Sequence, residues 1–178
     1  SAVLDGYDGA RLERALVQGE GQANGRVADS AGSSANIMGR GPSLFMLTGV
    51  PAKGKSVADV EAALRAQIKK VADEGVQEDE LKRVKIQWMA SNVYERDSVM
   101  GQAQNLGSYW IQGMPLDAED KLLAELQKVT SDEVKAVAAK YFGDDQLTIG
   151  TLNPQPLPAG GKPQRPMSGK ADMGNSLH

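Results

Sequence analysis

Residues 49–56 read GVPAKGKS, which spells G-x-x-x-x-G-K-S, the pattern of a loop that wraps nucleotide phosphates. In that chemistry backbone N–H groups surround the phosphates, the Lys55 ammonium reaches them, and the Ser56 hydroxyl holds magnesium. The local order fits, with the apolar stretch SLFMLT before it and an amphipathic segment after it. The wider order does not. A P-loop domain needs several parallel strands and a second apolar strand ending in Asp to place the metal. The one convincing strand after Ser56 is QLTIGTL (146–152), and it runs into Asn153-Pro154. A polar strand-to-helix turn, with Lys53 and Lys55 in water and Ser56 as a helix cap, accounts for the same residues. GEGQANG (19–25) does not fit G-x-G-x-x-G and reads as loop.

Other chemistry is bounded by what the chain carries. It has no cysteine, so disulfides, Cys-ligated zinc and thiol catalysis are excluded within it. The single histidine is His178, the last residue, so one copy cannot build an imidazole zinc site. Carboxylates alone could hold magnesium or calcium. Two groups qualify, Glu78-Asp79-Glu80 and Asp144-Asp145, but a helix N-terminus and a turn explain them better. Trp88 and Trp110 could line a peptide cleft; helical spacing among apolar neighbours assigns them to a core. No residue is assigned a catalytic, cofactor-binding or metal-binding role. With 178 residues and a net charge of −3, the chain is long enough for one domain with a real core. It carries no strong basic field for nucleic acid. No apolar run approaches the roughly 18–20 residues that span a bilayer. The opening SAVLDGYDGARLERAL lacks the basic-then-apolar order of a signal peptide and looks cut from a longer or processed protein.

The elements that must position these groups follow from periodicity. A helix is expected from about Gly9, with Leu12, Leu16 and Val17 apolar, and Gly-rich residues 19–42 are expected to be loop with short strand pieces such as GRVAD. SLFMLTGV (43–50) reads as a strand. Ser56 with Asp59 marks a helix start, Val57, Val60, Leu64, Ile68 and Val71 share one face, and Gly75 stops the helix. The acids at 78–80 open a long helix. Leu81, Val84 and Trp88 form one stripe and Ile86, Met89 and Val93 another, with a bend near Gly101 or Gly107 and a break at Met114-Pro115. Residues 117–128 form a shorter helix with Leu122, Leu123 and Leu126 inward. VTSDEV (129–134) is a capping box, Thr130 to Glu133, for a helix whose inner stripe is Val134, Val137, Ala138 and Tyr141 and which ends at Gly143. QLTIGTL alternates as a strand. Five prolines fall between Pro154 and Pro166. The reading is an α+β domain, a small antiparallel-type sheet with several helices on one face, over 1–152, followed by a Pro/Gly-rich disordered tail over 153–178.

The order of these pieces resembles the pitrilysin/insulinase-type zinc metallopeptidases, and more narrowly their processing-peptidase-like bacterial branch. The resemblance rests on the Glu74–Lys85 helix start, the Gly-x-Pro-Leu-like turn Gly113–Leu116, the Val-Thr…Tyr-Phe run Val129–Phe142, and the closing strand before Asn153-Pro154. Upstream, Ala10-Arg11-Leu12 resembles the family's small-Arg-Leu helix, and GVPAKGKSVADVEAAL fits its strand–turn–helix step. The resemblance covers roughly 3–157. It implies homologous α+β domains closing around a peptide chamber, with zinc held by His-x-x-Glu-His in a first domain. That motif cannot be written here, so the resemblance implies a later, non-metal domain, truncated at its start, with no zinc of its own and with zinc in a partner domain in cis or in trans. The implied task is to form half of the chamber and position peptide. The alternatives are an interaction or scaffold domain without proteolytic role, and the P-loop nucleotide binder. Such a domain often supplies a substrate-holding Arg and Tyr. Aligning on Arg11-Leu12 puts Leu16 at the pattern's Leu, Val17 where the Arg stands, and Asn24 or Gly25 near the Tyr. Both side chains are absent, and Arg14 or Arg26 are the neighbouring substitutes. The resemblance implies a periplasmic protein.

Overall fold

The structure, a computed structural model, describes residues 1–21, 25–36 and 41–154, apart from the Glu95 side chain. Residues 22–24, 37–40 and 155–178, which include Asn24, His178 and most of the expected tail, lie outside the described residues. The chain divides into two units, Ser1–Thr148 and Ile149–His178.

The first unit opens with a short helix α1 (Ala2–Asp5) and a helical segment from Arg11 that widens into a π-helical turn over Glu13–Val17. Strand β1 (Ala28–Ala35) pairs antiparallel with β2 (Phe45–Pro51), Ser33 opposite Leu47. Then come α2 (Val57–Glu74), α3 (Glu78–Glu95), α4 (Val99–Ile111), α5 (Ala118–Lys128), α6 (Ser131–Tyr141) and a 3₁₀ turn (Asp144–Gln146). This is an α+β fold, a two-stranded antiparallel sheet with helices.

Local chemistry explains the helix ends. The Ser56 hydroxyl accepts from Asp59 N–H while the Asp59 carboxylate accepts from Ser56 N–H at 2.7 Å, a complete capping box. Thr130 and Glu133 repeat it for α6. Gly75 closes α2 with a φ of 79°, which only glycine adopts at low cost. Val60, Leu64, Ile68 and Val71 are buried as their spacing requires, in one cluster with Leu12, Leu16, Val27 and Ala28, whereas Val57, expected on the same face, lies in the first turn and is exposed. Gly49 permits the sheet to sit close to α2: a Cβ there would lie 2.5 Å from Val60 Cγ1.

Four expectations are corrected. Residues 28–35 form a full strand, although Ala-Asp-Ser-Ala-Gly-Ser-Ser-Ala has poor strand propensity; pairing with β2 and packing on the π turn supply what propensity lacks. Residues 147–154 carry no sheet pairing, because the described sheet has two strands and neither lies with them; Leu147, Ile149 and Leu152 are exposed. The long helix breaks at 96–98 instead of bending at a glycine, because Ser98 accepts from Gly101 N–H and starts a new helix. On α6, Val137 and Tyr141 are exposed, whereas Val134, Ala138 and Phe142 meet the core.

Candidate functional site

The P-loop pattern resolves into three structural jobs. Gly49, Val50 and Pro51 belong to β2, Gly54 turns the chain with a φ of 81°, and Ser56 caps α2. The Ser56 hydroxyl donates to the Asp59 carboxylate at 2.7 Å. That carboxylate stands where an anion would meet the helix N-terminus and repels a phosphate from it. Asp59 is held below its ordinary carboxylate pKa, first by the Ser56 N–H and then by the Ser56 hydroxyl. β2 has an antiparallel partner, unlike the parallel sheet that a nucleotide loop requires.

Among the described residues Arg11 forms the most deeply covered ion pair. Its Nε donates to Glu80 Oε1 at 2.8 Å and its Nη2 to Glu80 Oε2 at 2.7 Å, with a further bond to the Gly75 carbonyl at 3.3 Å. Both side chains are largely covered, at 11% and 12% exposure. The bond to Glu80 raises the Arg11 pKa. The fork ties the N-terminal helical segment to the α2–α3 junction, so the acids at 78–80 serve a helix start and a tertiary clamp. The other charged candidates are structural as well. Asp144 accepts from Arg65 at 2.5 Å, Arg14 lies 3.9 Å from Glu20, and Arg26 pairs with Asp29. Val17 is half-buried and Gly25 exposed, so neither position offers a substrate-holding group. Among the described residues no three His, Cys, Asp or Glu side chains gather closely enough to hold a metal ion. A zinc centre does not fit the described residues.

Both tryptophans overturn their assignment to a core. Trp88 is 37% exposed and Trp110 75%. Trp88 lies one turn beyond the buried pair Leu81 and Val84, where the core ends. Tyr109, the neighbour of Trp110, is in contrast buried. Val93 and Tyr94 on α3, and Val99, Met100 and Ile111 on α4, are exposed with them. Polar ties hold the scaffold beneath. Asn92 donates to Glu119 at 2.5 Å and Arg96 to Asp120 at 2.5 Å, joining α3 to α5. Lys85 donates to the Gln127 and Val129 carbonyls at the C-terminal end of α5. α3 and α4 therefore leave several large apolar side chains exposed, the chemistry of a packing surface. The apolar exterior was missed in the sequence; the signal was the second stripe of α3, Ile86, Met89 and Val93, which asked for a second partner.

No protein-family model and no curated protein matches the chain. Solved structures do. A protease from Helicobacter pylori superposes with a TM-score of 0.73 at 19% identity, over 82% of this chain and 34% of that one. The inactive peptidase domain of a protein designated a zinc protease, from Bordetella parapertussis, gives 0.68 at 18% identity, over 88% of this chain and 81% of that one. A protein designated a zinc protease from Bordetella pertussis gives 0.70 at 17%, over 86% and 81%. The fold is that of the peptidase domains in these zinc-protease-like structures. The chain spans about a third of the length of the Helicobacter protease.

Proposed function

We propose that this chain is the non-catalytic domain of a zinc metallopeptidase of the pitrilysin/insulinase type, a later domain that forms half of a substrate chamber and positions peptide. Hydrolysis belongs to a zinc-bearing domain elsewhere, in the same gene product or in a separate subunit, in the periplasm. The observation that carries the reading is a peptidase-domain fold whose described residues gather no metal-binding cluster. The motif resemblance from Glu74 to Phe142 supports the finer family assignment. The exposed Trp110, Ile111 and Tyr94 supply apolar surface of the kind that packs against another domain or a peptide. Elemental analysis tests it. The expected result is about one zinc per chain in the natural gene product or its subunit complex and none in this chain, with peptidase activity following the zinc. Tight zinc binding by this chain alone overturns the reading.

The exposed apolar block also favours a second reading, a scaffold domain with no link to proteolysis. No zinc and no peptidase activity in the natural gene product or its complexes selects it.

A further inference from the structure

In an Asp-Gly dipeptide the side-chain carboxyl can reach the next backbone nitrogen with no Cβ in the way. The chain has two such dipeptides, Asp5-Gly6 and Asp8-Gly9. Their sequence surroundings are alike, Leu-Asp-Gly-Tyr and Tyr-Asp-Gly-Ala. Their structural surroundings are opposite.

At Asp5 both reacting groups are engaged. The carboxylate accepts from Ser33 N–H at 3.0 Å, and the Gly6 N–H donates to the Ala2 carbonyl at 2.9 Å where α1 ends. Gly6 is also pressed onto that helix, since a Cβ there would lie 2.4 Å from the Ala2 oxygen. Closing a ring between Asp5 and Gly6 breaks two hydrogen bonds and needs room that α1 occupies.

At Asp8 neither group is engaged. Asp8 is exposed, and among the described residues its carboxylate has no hydrogen bond or ion pair and the Gly9 N–H has no backbone partner. Gly9 has a φ of 79°, and nothing lies within 4 Å of the place where a Cβ would stand. The turn is closed by Ala10 N–H on the Tyr7 carbonyl at 3.0 Å, so Asp8 and Gly9 are its two central residues.

We propose that Asp8 is a site of spontaneous backbone isomerisation to isoaspartate, and that the fold protects Asp5 from the same reaction. The Gly9 nitrogen attacks the side-chain carboxyl carbon of Asp8. A C–N bond forms, a C–O bond breaks, and the amide proton leaves with the carboxyl hydroxyl as water. Water then opens the resulting succinimide at the Asp8 main-chain carbonyl, which breaks the bond from that carbon to the Gly9 nitrogen and returns a proton to the nitrogen. The backbone now runs through the Asp8 side chain, one methylene longer, and a free carboxylate stands on the Asp8 Cα. Water is lost and regained, so the mass is unchanged and no oxidant or reductant is needed. The lengthened turn leads straight into Ala10, which is buried and whose carbonyl accepts from Arg14 N–H at 3.0 Å. The modification therefore falls on the entry to the segment that carries Arg11 and Leu12. It is independent of whether the domain serves a peptidase.

Site-resolved mass spectrometry tests the proposal. The folded chain is incubated in mildly acidic buffer, where a carboxyl loses its hydroxyl readily and above the pH at which the fold weakens. Trypsin then releases both aspartates in one peptide, residues 1–11, and electron-transfer fragmentation tells isoaspartate from aspartate at each position. Isoaspartate is expected to form roughly tenfold or more faster at Asp8 than at Asp5, because ring closure at Asp5 must first break its two hydrogen bonds. In guanidinium, with the fold lost, the two rates converge. Equal rates in the folded chain overturn the proposal, as does an Asp8 that stays unmodified while folded over the time in which the unfolded chain converts. A difference that persists in guanidinium overturns it too, since local sequence and not the fold would then set it. Asp8→Glu, whose larger ring closes far more slowly, removes most of the isoaspartate from the 1–11 peptide; an undiminished yield there overturns the assignment to Asp8.

Discussion

Arg11 and Glu80, 69 residues apart, face each other through two parallel hydrogen bonds of 2.8 and 2.7 Å. The fork closes the N-terminal segment onto the start of α3. Removing one partner strands a covered charge, which costs more than the pair contributes. Arg11→Ala and Glu80→Gln are each expected to lower unfolding free energy by about 2 kcal/mol in urea titrations. Arg11→Lys rescues little, since an ammonium cannot form the planar fork. The double variant Arg11→Met/Glu80→Leu recovers most of the loss. A double variant no better than the worse single one would show that the fork is needed for more than charge neutralisation.

Gly49 sits where β2 crosses α2. A methyl added there meets Val60 Cγ1 at 2.5 Å, closer than packed carbons tolerate. Gly49→Ala is expected to destabilise by about 1–3 kcal/mol through overpacking. Val60→Ala removes the obstructing atom, so Gly49→Ala/Val60→Ala should be more stable than the sum of the singles predicts. Additive losses in chemical denaturation would place the strain elsewhere.

Acid weakens the two capping boxes. The folded pKa values of Asp59 and Glu133 lie below their ordinary values, each lowered first by a backbone N–H and then by the capping hydroxyl. A depressed carboxylate pKa contributes stability that is fully present above the unfolded pKa and is lost as pH falls through the folded pKa. Both groups are exposed, so the contribution is modest and sensitive to salt. Urea midpoints should hold steady from neutral pH down to the ordinary carboxylate range and fall below it. In Asp59→Asn/Glu133→Gln the acid-side fall should be shallower; an unchanged slope would assign it to other carboxylates.

These caps were legible in the sequence because everything they need lies within four residues. The α2 stripe and the stop at Gly75 were legible for the same reason. β1 was not. Its Ala, Gly, Ser and Asp residues have no strand preference, and the strand exists because β2 lies beside it. The reverse holds at 147–152, where clean alternation meets no partner in the described sheet. Trp88 and Trp110 show the limit at the candidate site. Periodicity marks an apolar face but is silent on what covers it, so a core and an interface read alike until the neighbours are known.

The phosphate-loop pattern yields a negative expectation. With the Ser56 hydroxyl spent on Asp59 and that carboxylate at the helix start, millimolar magnesium–ATP should move the melting temperature by less than about 0.5 °C. A saturable rise of several degrees, abolished by Lys55→Ala, would restore nucleotide binding.

Trp110 reports on whether the α3–α4 exterior is a working surface. It is 75% exposed, so Trp110→Phe should change the stability of this chain by less than about 0.5 kcal/mol, as a surface replacement does. Trp88→Phe leaves Trp110 as the sole tryptophan, since the chain has two. Its emission in this chain should be that of an indole in water and should be quenched freely by acrylamide. In the natural gene product or its subunit complex the emission should shift to the blue and quenching should fall severalfold if the proposed partner domain packs on these side chains. Unchanged emission and quenching there would leave Trp110 outside any interface, and the surface that meets the partner would then have to lie on another face of the fold.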